Sequence, residues 1–218
     1  MQPEFLPENA LNFPELRWLE LIGKLKTERR HSWPTGLNGP QESVADHSWR
    51  LSLMPYLYSP RLSQPVDVFK CVLMAAIHDL PEVIAGDLPV IHQNLATRSE
   101  RAELELAAMI ELTNKLEDPE KAQYLLSLYQ EYHNQNTYEG KFVKALDKIE
   151  AFIQHNQDPI ETWLPKEKDM LFQNRYLLDY CEFDPFLKSL ATQVLEEGIA
   201  KLKAAGEDVE AIRNRAQA

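Results

Sequence analysis

VFKCVLMAAIHDLPEVIAGDLP, residues 68–89, decides how this chain is read. Its first ten residues carry one charge, Lys70, while Val68, Phe69, Cys71, Val72, Leu73, Met74 and Ile77 would surround a helix on nearly every side. A helix of that composition belongs in the middle of a bundle. His78 and Asp79 then arrive together, followed by Glu82 and Asp87, although charged groups beside a core are costly unless something compensates them. Pro81 lacks a backbone N–H, so the helix should end near His78 and Asp79, with a short new turn starting at Pro81 and stopping at Gly86.

Outward from this stretch, helical periodicity dominates and strand signal is scarce. LRWLELIGKL, residues 16–25, reads as a first helix with Leu16, Leu19, Ile22 and Leu25 near one face. Pro34, Gly36, Gly39 and Pro40 make residues 31–41 a loop. Ser43-Val-Ala-Asp46 resembles a capping box with Asp in place of Glu, opening a helix toward Leu57 that Pro55 disturbs. Pro60 to Pro65 is a connector, and residues 98–116 and 119–133 read as amphipathic helices. EGKFVKALDKIEAFIQHN, residues 139–156, aligns Phe142, Val143, Leu146, Ile149, Phe152 and Ile153 along one face and sets Asp147 on its shoulder. More helices follow Pro159, and the tail LKAAGEDVEAIRNRAQA is polar enough to fray. The expected architecture is all-α.

A chain of 218 residues that is 44% hydrophobic can bury one substantial core. The net charge of −11 disfavours a grip on duplex nucleic acid, which needs a basic face. No apolar run approaches the roughly 20 residues of a membrane span, and MQPEFLPENA lacks the regions of a signal peptide, so a cytoplasmic protein with no membrane partner is expected. Cys71 and Cys181 read as reduced thiols, Cys71 as core filling. KLKTERRH, residues 24–31, departs from the acidic balance with four basic side chains against Glu28, so it suits a small anion or, more commonly, a solvated helix end.

Three separated places share one chemistry: His47 just after a helix start, His78-Asp79 at the end of the apolar helix, and Asp147 beside a later apolar face. Two imidazoles and two carboxylates suit a divalent cation that keeps positions open for water and substrate. A cation would also make the inward carboxylates tolerable. Taken singly, a His on an apolar face is more often a hydrogen-bonded core residue, and an Asp after a helix more often a cap.

In this order His47, His78-Asp79 and Asp147 resemble the H…HD…D signature of the HD-domain metal-dependent phosphohydrolases. HDLPEVIAGDLP resembles the HD-x-x-E-x-x-x-GD-x-P stretch of the 5′-deoxynucleotidase branch, ESVADHSWR (42–50) its E-[SN]-V-[SA]-[DE]-H segment, and KFVKALD (141–147) its VK-x-x-D segment. The resemblance covers about residues 16–155. It implies an HD-domain helical bundle over residues 1–160; the part from about Trp163 shows no such resemblance, and residues 161–218 are expected as a C-terminal helical extension packed on the same domain.

The resemblance also implies one divalent metal ion, open to Mn²⁺, Co²⁺, Fe²⁺, Zn²⁺ or Mg²⁺, on His47, His78, Asp79 and Asp147. Glu82 would act on the water as base or orienting group, and Asp87 would protonate the leaving 5′ oxygen or hold water and sugar. The branch's bacterial members carry Arg-Trp-Pro, where this chain has Ser32-Trp33-Pro34; its eukaryotic members carry an Arg three residues before the Trp, which Arg30 matches. Arg30 is therefore expected on phosphate, with His31 as a helper, and Trp33 near the sugar. Plainer roles exist for each: Trp33 as a loop wedge, Glu82 as a cap, Asp87 as a turn residue, Lys144 as a partner of Asp147, Glu131 as a helix-end charge, and His92, His133 and His155 as surface or loop histidines. The implied activity is hydrolysis of a nucleoside 5′-monophosphate, most readily a deoxyribonucleotide, by a homodimer. A phosphodiesterase or hydrolase of a cyclic or guanosine polyphosphate signal, and a non-catalytic metal- or nucleotide-binding protein, remain alternatives.

Overall fold

Asp67 starts the decisive helix by accepting the N–H of Lys70 at 3.0 Å, and the helix spans Val68–Ile77 in a computed structural model that describes residues 13–87 and 95–217, with backbone only at 95–98. The helices are α1 (Pro14–Ile22), α2 (Val44–Tyr58), α3 (Val68–Ile77), α4 (Glu82–Ala85), α5 (Leu95–Asn114) and α6 (Pro119–Asn134). They continue as α7 (Tyr138–Gln157), α8 (Pro165–Met170), α9 (Leu178–Cys181), α10 (Pro185–Ala204) and α11 (Val209–Gln217). The fold is all-α: the described residues contain no β-strand, only an isolated bridge between Arg29 and Ser43.

Local chemistry starts the helices where the sequence signals it. The Ser43–Asp46 capping box is present in both directions, and Asp118, Thr137 and Asp184 cap α6, α7 and α10 through their side chains. Pro55 is carried inside α2 and buried there. The centre of the bundle is α7, whose Phe142, Val143, Ala145, Leu146 and Ile149 are wholly buried between α2, α3, α6 and α10. The hydrophobic core is continuous from Leu25 to Ile212, and both cysteines, unpaired, lie within it.

Three expectations are corrected. Only one side of α3 is covered: Cys71, Met74, Ala75 and Ile77 face α2, α6 and α7, whereas Phe69 is 73% exposed. An apolar sequence with no polar face cannot say which side lacks a neighbour. The first helix ends at Ile22 and tightens into a 3₁₀ turn, Gly23–Lys26; Leu16 and Leu19 are exposed, while Trp18, Leu21 and Ile22 pack on the core. The Trp18 indole N–H donates to Leu112 O at 2.9 Å, which rotates the helix away from the apolar face first read. The tail does not fray. Gly206, at φ +79°, reverses the chain, and α11 then buries Val209, Ile212 and Ala216 while Arg215 pairs with Asp169 of α8.

Candidate active site

Three helices deliver the central cluster. His47 sits one turn into α2 and is fully buried; His78 is the C-cap of α3, with Asp79 next to it; Asp147 is midway along α7. The Nε2 atoms of His47 and His78 stand 3.3 Å apart. Asp79 Oδ2 is 3.0 Å from His78 Nε2 and 3.8 Å from His47 Nε2. Asp147 Oδ1 is 3.4 Å from His47 Nε2 and 3.8 Å from His78 Nε2.

The opposite edge of each imidazole is already engaged. His78 Nδ1 donates to Ala75 O at 2.8 Å, and His47 Nδ1 to the buried Glu150 carboxylate. Both tautomers are thereby set with the Nε2 lone pairs turned toward each other and toward two carboxylate oxygens. Four electron-rich atoms converging on one point fit a cation. Without one, the imidazole of His47 is driven to hold a second proton: burial and Arg30 oppose it, but the carboxylates of Glu150 and Asp147 lift its pKa to about 9. His47, His78 and Asp79 offer ligand atoms all within 4.8 Å of one another, and Asp147 closes the set from α7.

The remaining acids enter through the break at Pro81. Glu82 opens α4, and Gly86, at φ +71°, ends it in a conformation that L side chains resist. The Asp87 N–H then donates to Glu28 Oε1 at 2.9 Å, and Arg101 donates to the carbonyls of Ala85 and Gly86. Glu82 and Asp87 thus line the same cavity, of about 460 Å³, as His78, Asp79, Asp147 and Arg30. Glu82 is buried, and among the described residues its Oε2 has no hydrogen-bond partner. Burial, reinforced by Asp79 and Asp87, pushes its carboxyl far above the ordinary range; burial also raises Asp87.

Arg30 reaches the cavity with Nη1 3.5 Å from Asp79 Oδ2, steadied by Glu42 3.2 Å from its Nε. It alone of the four basic side chains in residues 24–31 lines the cavity; Lys24, Lys26 and Arg29 are exposed. His31 also lines it, bonded to Glu167 at 2.9 Å. Trp33 is not on the cavity wall: its indole meets His31 edge-on at 4.6 Å, and its backbone N–H donates to Asp158 Oδ2. Glu131 forms an ion pair with Lys70 at 2.6 Å. His92 lies outside the described residues. His133 and His155 are cavity-lining rather than surface histidines, the latter stacked on Trp163. Burial, with nearby positive charge, lowers their pKa values to about 4 and about 3.

A model of the HD domain family matches residues 22–178. The chain belongs to the HD domain family. Among curated relatives it is 36% identical to 5′-deoxynucleotidase HDDC2 of Xenopus laevis over 139 residues, 64% of this chain and 66% of that one, just under two thirds of the relative. It is 30% identical to 5′-deoxynucleotidase HDDC2 of Danio rerio over 195 residues, 88% of this chain and 92% of that one. Among solved structures, a predicted metal-dependent phosphohydrolase of Magnetospirillum magnetotacticum shares the fold with a TM-score of 0.69 at 23% identity, covering 86% of this chain and 92% of that one.

Behind the candidate ligands of this HD domain stand charges, Glu150, Arg50 and Glu42, that the sequence reading missed. Glu150 accepts from His47 on one side and from Arg50 Nε at 2.6 Å on the other, with the Arg50 Nη2 charge 2.5 Å from the same oxygen. Glu42 lies between Arg50 and Arg30. Asp147 Oδ2 accepts from the Tyr132 hydroxyl at 2.7 Å and is paired with Lys148 at 3.0 Å, leaving Oδ1 toward the histidines. Lys144 stands 3.6 Å from the same oxygen and donates to the Tyr132 hydroxyl. One signal was available: Glu150 falls one turn after Asp147, on the stripe of Val143, Leu146 and Ile153, and a charge on an apolar stripe demands a buried partner.

Proposed function

We propose that this HD domain is a metal-dependent phosphatase that hydrolyses nucleoside 5′-monophosphates, deoxyribonucleotides foremost, to nucleoside and phosphate. The observation that carries the reading is the cluster of His47, His78, Asp79 and Asp147 opening into one cavity with Arg30 and with the unpartnered Glu82 Oε2. The names of the curated relatives support the substrate class.

One divalent ion on those four residues, when bound, lowers the pKa of a water and neutralises charge that develops on the phosphoryl group. The chain supplies the rest. Arg30 binds phosphate oxygens in place of part of its contact with Asp79. Glu82 orients the attacking water and, in the ionised form that a cation beside it would favour, takes the water's proton as the new P–O bond forms. Asp87 delivers a proton to the 5′ oxygen as the P–O5′ bond breaks. Glu150 and Tyr132 hold His47 and Asp147 in position and touch no reacting atom.

Two further parts belong to the proposal. A homodimer is supported by Trp49, Leu53, Tyr56 and Leu57, which leave one face of α2 apolar and exposed, a face that light scattering and surface substitution test directly. A reducing, cytoplasmic setting is supported by the two unpaired buried cysteines. Among the described residues no helix is long and apolar enough to cross a membrane.

The test is phosphate release from a panel of deoxyribonucleoside and ribonucleoside 5′-monophosphates with several divalent metals. The reading requires release from at least one deoxyribonucleotide, and silence across the panel refutes it. Glu82→Gln should retain bound metal and lose turnover by a factor of ~10² or more, as expected for loss of a general base.

A further inference from the structure

We propose that the nucleobase is received by the aromatic wall that residues 165–181 lay over α7, with Tyr180 as the stacking face, so that the C-terminal helices select the base while the metal end holds the phosphate. This rests on the monophosphatase reading above. The segment reaches the site at two points. Glu167 of α8 holds His31, the neighbour of Arg30, at 2.9 Å. Lys148 stands 3.0 Å from Asp147 Oδ2 and 5.9 Å from the ring centre of Tyr180, so a single lysine head group separates the ring from a metal-binding carboxylate. In a nucleoside 5′-monophosphate one sugar likewise separates base from phosphate.

The two flanks of the cavity differ in chemistry. Toward α5 and α6 it is walled by Arg101, Glu105 and His133, and the charges there are committed: Arg101 to Glu105 at 2.6 Å and to two carbonyls of α4 and its end, with His133 Nε2 3.9 Å from Glu105. Toward the C-terminal helices the wall sets Phe152, Met170, Tyr176 and Tyr180 beside the polar His155, Glu167 and Arg175. A base has an apolar face that stacks and a polar rim, and the second flank matches it. Tyr176 is buried and takes a hydrogen bond from Arg175, whereas Tyr180 is half-buried and borders the open volume. A cavity of about 460 Å³ has room for more than a phosphate group.

The test uses the metal-loaded full chain and Tyr180→Leu, which keeps apolar volume and removes the aromatic face, with Tyr180→Phe as the conservative control. Each is assayed for KM and kcat on a deoxyribonucleoside 5′-monophosphate and on 2-deoxyribose 5-phosphate, which lacks the base. Binding of the free deoxynucleoside is measured by calorimetry. Tyr180→Leu should raise KM for the nucleotide about tenfold more than for the sugar phosphate, the loss of one base–aromatic stack, and weaken deoxynucleoside binding by a similar factor. Tyr180→Phe should restore both. Equal shifts for the two substrates, or no shift, overturn the inference. Should the native chain release phosphate from no nucleotide, the monophosphatase reading fails by that result; deoxynucleoside binding that Tyr180→Leu leaves unchanged would overturn the base wall by itself.

Discussion

Replacing Glu150 by Gln probes the proposed metal centre without touching any of the four proposed ligands. The native carboxylate is wholly buried and serves two donors, His47 through one oxygen and Arg50 through the other. Glutamine keeps the shape but has one acceptor and an amide N–H₂. If its oxygen faces His47, the amide confronts the Arg50 guanidinium, donor against donor. If its oxygen faces Arg50, the amide meets His47 Nδ1, and the ring escapes the clash only by moving its proton to Nε2, the atom 3.3 Å from His78 Nε2 and 3.4 Å from Asp147 Oδ1. Either arrangement disturbs the imidazole that has to present a lone pair. Loss of such an outer partner typically lowers metal affinity by ~10–100-fold, roughly 1.4–2.7 kcal/mol. Competition of the protein against a chelating dye measures this, with thermal melts of metal-free and metal-loaded protein alongside. The metal-induced rise in Tm should shrink in step, because a ligand stabilises the folded state by RT ln(1 + [L]/Kd). A folded variant whose metal affinity stays within about twofold of the native value would refute the reasoning.

Other perturbations separate the remaining roles. Arg30→Gln should raise KM by about 10–100-fold, the scale of a lost charge-assisted hydrogen bond; metal affinity should hold or increase, since a cation 3.5 Å from Asp79 is gone, and an unchanged KM would remove Arg30 from the phosphate site. Asp184 is buried at the head of α10 and accepts from Ser63, Tyr138, Phe186 and Leu187. Burial opposes its ionisation, yet those hydrogen bonds hold its pKa down at about 2. Its stabilisation, roughly 2 kcal/mol, is therefore complete above the ordinary carboxylate pKa near 4 and lost as pH falls through about 2. Urea melts of Asp184→Asn should show a deficit at pH 7 that narrows by pH 3, and a pH-independent deficit would contradict the assignment. Ile212→Ala should destabilise the fold by about 2–4 kcal/mol through the cavity it leaves, whereas a frayed α11 would register almost nothing in the same melts.

Much of the site was legible one-dimensionally because its chemistry is written in adjacent letters. His78-Asp79 follows an apolar run, and the Pro81 break, the Gly86 stop and the Ser43–Asp46 cap are each enforced by backbone geometry within a few residues, so they appear where the sequence puts them. The all-α class follows from the same local periodicity. The partners of Glu150 were not legible, since Arg50 and His47 lie about a hundred positions away along the chain. Which side of α3 would be covered was equally silent, because its apolar residues go round the helix and only its neighbours choose between them.

The sequence by itself determined the all-α class, the starts of α2 and α3 and the break at Pro81, and it marked the candidate metal and acid residues, as these depend on dihedral limits, missing N–H groups and short-range caps. Only the tertiary structure decided that Trp18, rather than Leu16 and Leu19, turns inward, that α11 folds back onto α8, and that Glu167, Tyr176 and Tyr180 wall the cavity. Those outcomes depend on distant surfaces meeting, and burial is a property of the pair that meets rather than of either segment alone.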